Sequence, residues 1–472
     1  MIAPGQRLAL DCADIDAEGA GVAELGVPTA EGGGAAARRM KIHVAGALPG
    51  ERVTADVEHV SPHRADAWAR LVTVDAAAAW RIAPVCPAWG ACGGCVLQHF
   101  DYPAQAAWKG ARMASLVRAS PQLAAAIVRS CVASPRSLGY RNNSKLVCGR
   151  ASHGGIQLGA FAPRSHHVVD LAGCRVAAPP LDDVAAVVRR ILDDERVAAY
   201  DERSLTGLVR HVVLRVSHVG NVLATFVTAR PDWPDGASIA RALLAARPDV
   251  VGVVHNANPS RGNSIYGEED RVLSGYGHLE DAVGATRLRV SSRAFFQANR
   301  EVAALAYAEI AAAVDSLPRG GRVVDVYAGV GGIALTLAAR DAAADVVGIE
   351  EHPAAVDDAR ASARLNGITN ARFVAGDAAS RLGELDRADV VILNPPRRGC
   401  DPDVLDAAAA LRPRLIAYLS CAPDTLVRDL ARLSGLGFET RSVTPYDMLP
   451  HTPHVEALAV AAPGPSAHQQ RR

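Results

Sequence analysis

After about residue 291 the chain alternates short apolar runs with helix-patterned stretches: Val323-Val324-Asp325-Val326, Val346-Val347-Gly348-Ile349, Val390-Val391-Ile392-Leu393 and Leu415-Ile416-Ala417-Tyr418. Strands joined through helices run parallel, and continuous apolar runs mark strands covered on both faces. The spacing predicts a doubly wound, Rossmann-like α/β domain over 291–462, with its ligand crevice beyond the carboxyl ends of the strands. Those ends carry distinctive residues. Asp325-Val326-Tyr327-Ala328-Gly329-Val330-Gly331-Gly332 forms a glycine-rich turn, Glu350 closes the next strand, Asn394-Pro395-Pro396-Arg397 follows a later one, and Cys421 follows the last.

Glycines between a strand and a helix let backbone approach a ligand closely, and an acidic residue such as Glu350 is placed to accept hydrogen bonds from ribose hydroxyls. A dinucleotide site would space its glycines G-x-G-x-x-G; here they are Gly329, Gly331 and Gly332. That difference, with the Asn394-Pro395-Pro396 turn, favours S-adenosylmethionine over a nicotinamide. Cys421 sits where a buried strand gives way to a loop, a position for chemistry rather than packing. A thiolate there suits a pyrimidine substrate. Carbon 5 of uracil is a weak nucleophile until a thiolate adds at carbon 6, and the adduct must later lose its carbon 5 proton to a base. Glu456, in His451-Thr452-Pro453-His454-Val455-Glu456, is the candidate base, although spacing alone fits a surface residue opening a final strand, Ala457-Leu458-Ala459-Val460. His451 and His454 lack the further ligands a metal site needs.

Upstream, residues 1–76 alternate short apolar runs with turns, as in Lys41-Ile42-His43-Val44 and Arg52-Val53-Thr54-Ala55-Asp56-Val57, predicting a small OB-like β-barrel with a flexible hairpin tip at 31–37. Residues 77–290 read as an α+β central domain, and 463–472 as a disordered tail. A chain of 472 residues with 49% hydrophobic content supports two or three well-buried domains. No apolar stretch approaches the roughly 18 to 20 residues needed to cross a bilayer, and no leader-like segment opens the chain, so a cytoplasmic protein without a membrane partner is expected. Nine cysteines are too few for a disulfide scaffold and suggest metal or catalytic use for some of them.

Formal net charge is zero, yet residues 81–150 hold nine basic side chains (Arg81, Lys109, Arg112, Arg118, Arg129, Arg136, Arg141, Lys145, Arg150) against one acid, Asp101. Such a block can neutralise phosphates locally on a neutral protein, or it can be a solvated basic face.

Taken together, these motifs resemble the bacterial RNA uracil-5 methyltransferases, in particular the 23S ribosomal RNA 5-methyluridine branch that carries an N-terminal TRAM domain and a 4Fe-4S cluster. Phe295-Phe296-Gln297-Ala298-Asn299-Arg300 resembles the family's Q-x-N block, Ser420-Cys421-x-Pro423-x-Thr425-x-x-Arg428-Asp429 its nucleophile signature, and His451-Thr452-x-His454-x-Glu456 its base signature. The resemblance implies Cys421 as nucleophile, Glu456 as proton acceptor, and Gln297, Tyr327, Glu350 and Asn394 as contacts to S-adenosylmethionine. It also implies that part of 99–130 packs on the catalytic domain. Cys86-x5-Cys92-Gly93-Gly94-Cys95, with the distant Cys174, fits the family's cluster pattern. Four thiolates suit zinc or a 4Fe-4S cluster; only one C-x2-C pair is present, which favours the cluster. The barrel, cluster and basic block together point to RNA as partner and to a target base flipped toward Cys421, and a monomer is expected. Asn394 stands where many members have Asp, which leaves the target uridine open. Barrel and cluster favour ribosomal over transfer RNA, and a catalytically silent RNA-binding protein is the alternative from another class.

Overall fold

The computed structural model describes residues 2–27, 38–151 and 154–464. The expected hairpin tip at 31–37, and residues 465–472 of the tail expected over 463–472, lie outside the described residues. The start of that tail belongs to the fold instead, since Pro463 closes the last strand opposite Phe438 and Gly464 N–H donates to Gly437 O at 2.9 Å. The chain divides into two compact units, with the break after Trp108 and with Pro450–His454 belonging to the first.

The first unit is built on a six-stranded sheet of β1 (Arg7–Asp11), β2 (Asp14–Ile15), β3 (Ala20–Val27), β4 (Arg38–Ala45), β5 (Arg52–Val60) and β6 (Asp66–Ala76), ordered β1-β5-β6-β4-β3-β2. The chain from β1 to β2 closes it. Cys12 N–H donates to Glu51 O and Ala13 N–H to Val22 O, so one continuous segment bridges β5 and β3. Period-2 alternation turns Leu10, Ile42, Val44, Val53, Ala55, Val57, Ala67 and Ala69 inward to fill the barrel. Leu97 and Phe100 pack with Ile15 and Leu48, seating the segment that follows Cys95 against the barrel. Helix α1 (Tyr102–Arg118) contains the division point.

The second unit begins within α1 and continues through the short β7 (Ile127–Val128). A seven-stranded sheet follows, ordered β10-β9-β8-β11-β12-β13-β14, from β8 (Asn143–Arg150), β9 (Ile156–Phe161), β10 (Val168–Asp170), β11 (Val209–Val216), β12 (Val222–Thr228), β13 (Val250–Ala257) and β14 (Asp270–Gly275). Its helices α2 (Pro179–Asp194) and α3 (Gly236–Ala246) cover one face through Leu181, Val184, Val188, Ile239 and Leu243. A hairpin of β15 (His278–Val283) and β16 (Thr286–Ser291) leads into α4 (Arg300–Asp315).

The rest is an eight-stranded sheet with helices on both faces. Its elements are β17 (Arg322–Val326), α5 (Gly332–Arg340), β18 (Asp345–Glu350), α6 (Pro353–Leu365), β19 (Ala371–Ala375), α7 (Ala378–Gly383), β20 (Val390–Leu393), α8 (Pro402–Ala410), β21 (Leu415–Ser420), α9 (Pro423–Gly435), β22 (Phe438–Tyr446) and β23 (Glu456–Pro463). The order β19-β18-β17-β20-β21-β23-β22-β7 is parallel from β19 to β21, and β23 runs antiparallel between β21 and β22. Successive strands go one way from β17 and then the other, so the switch point lies between β17 and β20, where an open α/β sheet binds its ligand. Met113, Val117 and Leu123 join the core on one face of this sheet, and β7 pairs with β22 at its edge.

Candidate active site

The crevice at the switch point is shaped by the turn after β17. Tyr327 (φ 64°) and Gly331 (φ 88°) both adopt the left-handed region. At Gly331 a Cβ would meet the Phe373 ring at 2.9 Å, so only glycine fits. At Tyr327 the same conformation costs on the order of 1 to 3 kcal/mol for a residue with a side chain, and the ring is held against the core beside Cys400. The turn is fastened by Glu350 at the end of β18: Gly329 N–H donates to Oε2 (2.9 Å) and His352 N–H to Oε1 (2.9 Å). Each carboxylate oxygen keeps lone-pair capacity for a further donor, such as a ribose hydroxyl.

Gln297, Tyr327 and Asn394 line one cleft together with Phe296, Asp325 and Gly329. Gln297 is buried, and its backbone carbonyl accepts from Asn142 Nδ2 at 2.7 Å. The last member of the Q-x-N block acts elsewhere. Asn299 caps α4, accepting from Val302 N–H at 3.3 Å, and its amide donates to Ser134 Oγ.

Asp325 is a site residue that the sequence placed in the motif without a role. It is 1% exposed; Oδ2 accepts from Ala334 N–H at 2.9 Å, and Oδ1 is buried without a hydrogen-bond partner. Burial, with a smaller contribution from Glu350, pushes its carboxyl up to about 7. An orphaned carboxylate oxygen in this cleft suits a cationic ligand, and S-adenosylmethionine carries an ammonium and a sulfonium.

The second half of the site comes from strand register. Ser420 of β21 pairs with Ala457 of β23, so continuing the ladder by one residue sets Cys421 opposite Glu456. Directly opposed residues hold their Cβ atoms roughly 5 Å apart. Glu456 opens the strand, as its spacing suggested, but it is 6% exposed rather than at the surface, and burial pushes its carboxyl up to about 7. Burial also raises the Cys421 thiol, Glu456 raises it further, and Arg397 opposes both by charge and by hydrogen bonding. Arg397 lowers Glu456 as well. One guanidinium therefore serves a thiol and a carboxyl that resist ionising together. Arg397 lies within the Asn-Pro-Pro turn, but nothing in one sequence distinguishes it from a solvated arginine.

The nucleophile signature also explains how that turn is held. Buried Asp429 accepts from Tyr418 OH (2.6 Å), Cys400 N–H (2.9 Å) and Arg428 Nε (2.8 Å), Arg428 Nη2 donates to Arg398 O (3.0 Å), and Thr425 Oγ1 to Arg397 O (3.3 Å). Thr425, Arg428 and Asp429 share one face of α9 at helical spacing, and from there they fix the backbone that carries Arg397.

The four cysteines expected to hold a cluster are drawn from both compact units. Cys86, Cys92 and Cys95 lie in the first unit and Cys174 in the second. Among the described residues, no three His, Cys, Asp or Glu side chains are gathered to hold a metal ion. Cys86 N–H donates to Gln98 Oε1 (2.8 Å) and Gly94 N–H to Cys92 Sγ (3.4 Å). His451 takes the Gln105 amide on Nδ1 at 3.1 Å, within the first unit. Four of the nine cations in the basic block are committed to carboxylates. Arg81 pairs with Glu51, Arg129 with Glu309 and Arg136 with Glu301, while Lys109 is fully buried against Asp447 at 2.5 Å. Counting charge along the chain could not see partners distant in sequence.

A Rossmann-like sheet whose strand ends gather a glycine turn, a carboxylate, an Asn-Pro-Pro turn and a thiol defines a methyltransferase of the doubly wound class. Residues 309–411 match the family described as Methyltransferase small domain. An uncharacterized RNA methyltransferase of Geobacter sulfurreducens is 41% identical over 425 residues, covering 89% of this chain and 85% of that protein. One from Listeria innocua is 31% identical over 474 residues, covering 98% of each. The chain therefore belongs to this family of RNA methyltransferases. In fold it is similar to the Pyrococcus abyssi tRNA (uracil-54, C5)-methyltransferase solved with S-adenosyl-L-homocysteine, with a TM-score of 0.75 and 23% identity over 96% of this chain and 100% of that one. Among the described residues no helix is long and apolar enough to cross a membrane.

Proposed function

We propose that the protein methylates carbon 5 of a uridine in 23S ribosomal RNA, using S-adenosylmethionine bound by Gln297, Tyr327, Glu350 and Asn394. The register that opposes Cys421 and Glu456 beside Arg397 carries this reading. Arg397 stabilises the Cys421 thiolate, which forms a bond to carbon 6 and leaves carbon 5 electron-rich. S-adenosylmethionine supplies the methyl group that carbon 5 takes. Glu456 then accepts the carbon 5 proton, and the electron pair left behind expels Cys421 as thiolate, restoring the ring. Burial keeps Glu456 near neutrality in proton affinity, which suits a group that must accept a proton and release it each turnover.

The substrate is tested by incubating the protein and methyl-labelled S-adenosylmethionine with unmodified ribosomal and transfer RNA pools. Label in large-subunit RNA supports the proposal, and label in transfer RNA alone moves the target while keeping the chemistry.

Asp325 gives a further test. Ionised Asp325 favours the cationic cofactor, so binding should release a proton and tighten as pH rises through about 7. Calorimetry should show this dependence in the wild type and lose it in Asp325→Asn; a pH dependence unchanged by the substitution would remove Asp325 from cofactor binding.

The barrel as a TRAM domain, and a 4Fe-4S cluster on Cys86, Cys92, Cys95 and Cys174, belong to the same proposal on spacing and resemblance. Methyl transfer is not a redox step, so no part of the mechanism passes through the cluster. Protein purified anaerobically should contain iron and acid-labile sulfide in equal amounts, and Cys92→Ser should lose both. Iron-free wild-type protein with native folding would eliminate the cluster.

A further inference from the structure

With Arg81, Lys109, Arg129 and Arg136 assigned to carboxylates, five cations of the basic block remain, and among these Arg141 and Lys145 lie close enough to Arg215 for the charges to be felt at Lys145. Strands β8 and β11 pair with Lys145 opposite Val213 and Asn143 opposite Arg215. Alternation therefore puts Lys145 and Arg215 on one face, while Leu146, Cys148, Val212 and Leu214 pack with α2 and α3 on the other. Arg215 is 7% exposed, donates from Nη2 to Ala294 O at 2.5 Å, and keeps a buried Nε without a partner. Tyr266, which interacts electrostatically with Arg215, donates to Ser292 O at 3.2 Å, with Lys145 Nζ 5.9 Å from the centre of its ring.

None of Arg141, Lys145 and Arg215 has a carboxylate at ion-pairing distance among the described residues. The carboxylates whose charge reaches Arg215 are committed elsewhere, Asp281 to Arg300 (2.9 Å) and Asp358 to Arg289 (3.2 Å). Partial burial, then Arg215 and Arg141, lower the proton affinity of Lys145, as expected of cations grouped without a counter-charge. Arg215 is buried and Lys145 is exposed beside it, and like charges grouped around a buried guanidinium are costly unless an anion joins them. The patch is also tied to the cleft along the chain: Ser292 and Ala294, which accept from Tyr266 and Arg215, directly precede the segment that brings Phe296 and Gln297 to its wall.

We propose that Arg141, Lys145, Arg215 and Tyr266 form a phosphate subsite that grips the RNA backbone where the strand enters the cleft. The inference rests on the RNA substrate proposed for the active site and adds to it the residues that hold a phosphodiester. Bidentate guanidinium donors and a lysine point charge are the groups that recognise such an anion.

Filter binding of poly(U) to the full chain across a KCl series tests the subsite. For Lys145→Met the slope of log affinity against log salt should shrink by about 0.7, the loss of one single-strand phosphate contact. Arg190→Met removes an equal charge from an exposed position on α2, against the other face of the same sheet, and should leave the slope unchanged. Lys145→Met should melt no lower than wild type, since it removes a crowded charge. An unchanged slope in Lys145→Met, or equal losses in both variants, would overturn the subsite while leaving RNA binding intact. A wild-type protein that bound no poly(U) at low salt would remove RNA binding and the subsite together.

Discussion

Cys421→Ala should lower methyl transfer by at least about 10,000-fold, because without covalent addition carbon 5 of uracil has too little electron density to take the methyl group. Stability should hardly change. Cys421 is half-buried at a strand end and belongs to neither apolar cluster of the eight-stranded sheet, so its melting temperature should stay within about 4 °C of wild type. Cofactor binding, which uses the neighbouring strand ends, should persist. Substantial turnover by the alanine variant would remove the covalent route, and loss of folding would make Cys421 a structural residue.

Glu456→Gln should separate two steps that the wild type runs in succession. The glutamine cannot take the carbon 5 proton, so methyl transfer occurs once and the RNA stays bonded to Cys421, visible as a slowly migrating species on a denaturing gel. In the wild type the same step should slow as pH falls below about 7, where Glu456 becomes protonated. The substitution also has a stability signature. Glu456 binds its proton more tightly when folded than when unfolded, so its contribution is intact below about pH 4 and is lost as pH rises through about 7. At pH 8 the buried charge costs on the order of 3 kcal/mol, and Glu456→Gln should melt higher there than wild type while losing turnover. Stability given up at a reacting group is a common trade against function. Normal product release by the glutamine variant would transfer the proton to another acceptor.

Much of this was legible in the chain for a physical reason: a parallel strand covered on both faces must be a short apolar run, and the residue after it must turn toward the crevice. Glu350, Asn394 and Cys421 were singled out that way, while Tyr327 and Gln297 became candidates only through the family resemblance. Glu456 was not, because a carboxylate opening a strand looks the same whether that strand is an edge or, like β23, is inserted between two others. Burial depends on β22, whose polar alternation, Phe438-Glu439-Thr440-Arg441-Ser442, hides a strand that pairs with its neighbour from Phe438 to Tyr446 with an irregularity at Arg441. Asp325 and Arg397 sit inside recognisable motifs, yet their roles follow from an orphaned oxygen and a shared cation, which are properties of packing. The basic block shows the opposite error: Lys109 counts as surface charge along the chain and is fully buried in the fold. The barrel was readable from its alternation, but its closure depends on the link between β1 and β2, where no residue type announces the bend.

The most direct test of the covalent mechanism uses RNA in which 5-fluorouridine replaces uridine, incubated with S-adenosylmethionine and resolved under denaturing conditions. Fluorine at carbon 5 cannot be removed as a proton, so addition and methyl transfer should proceed and then stop, leaving a methylated RNA bonded to the peptide that contains Cys421. Cys421→Ala should give no such species. Methylated RNA without a covalent adduct, or an adduct on any other residue, would contradict the mechanism.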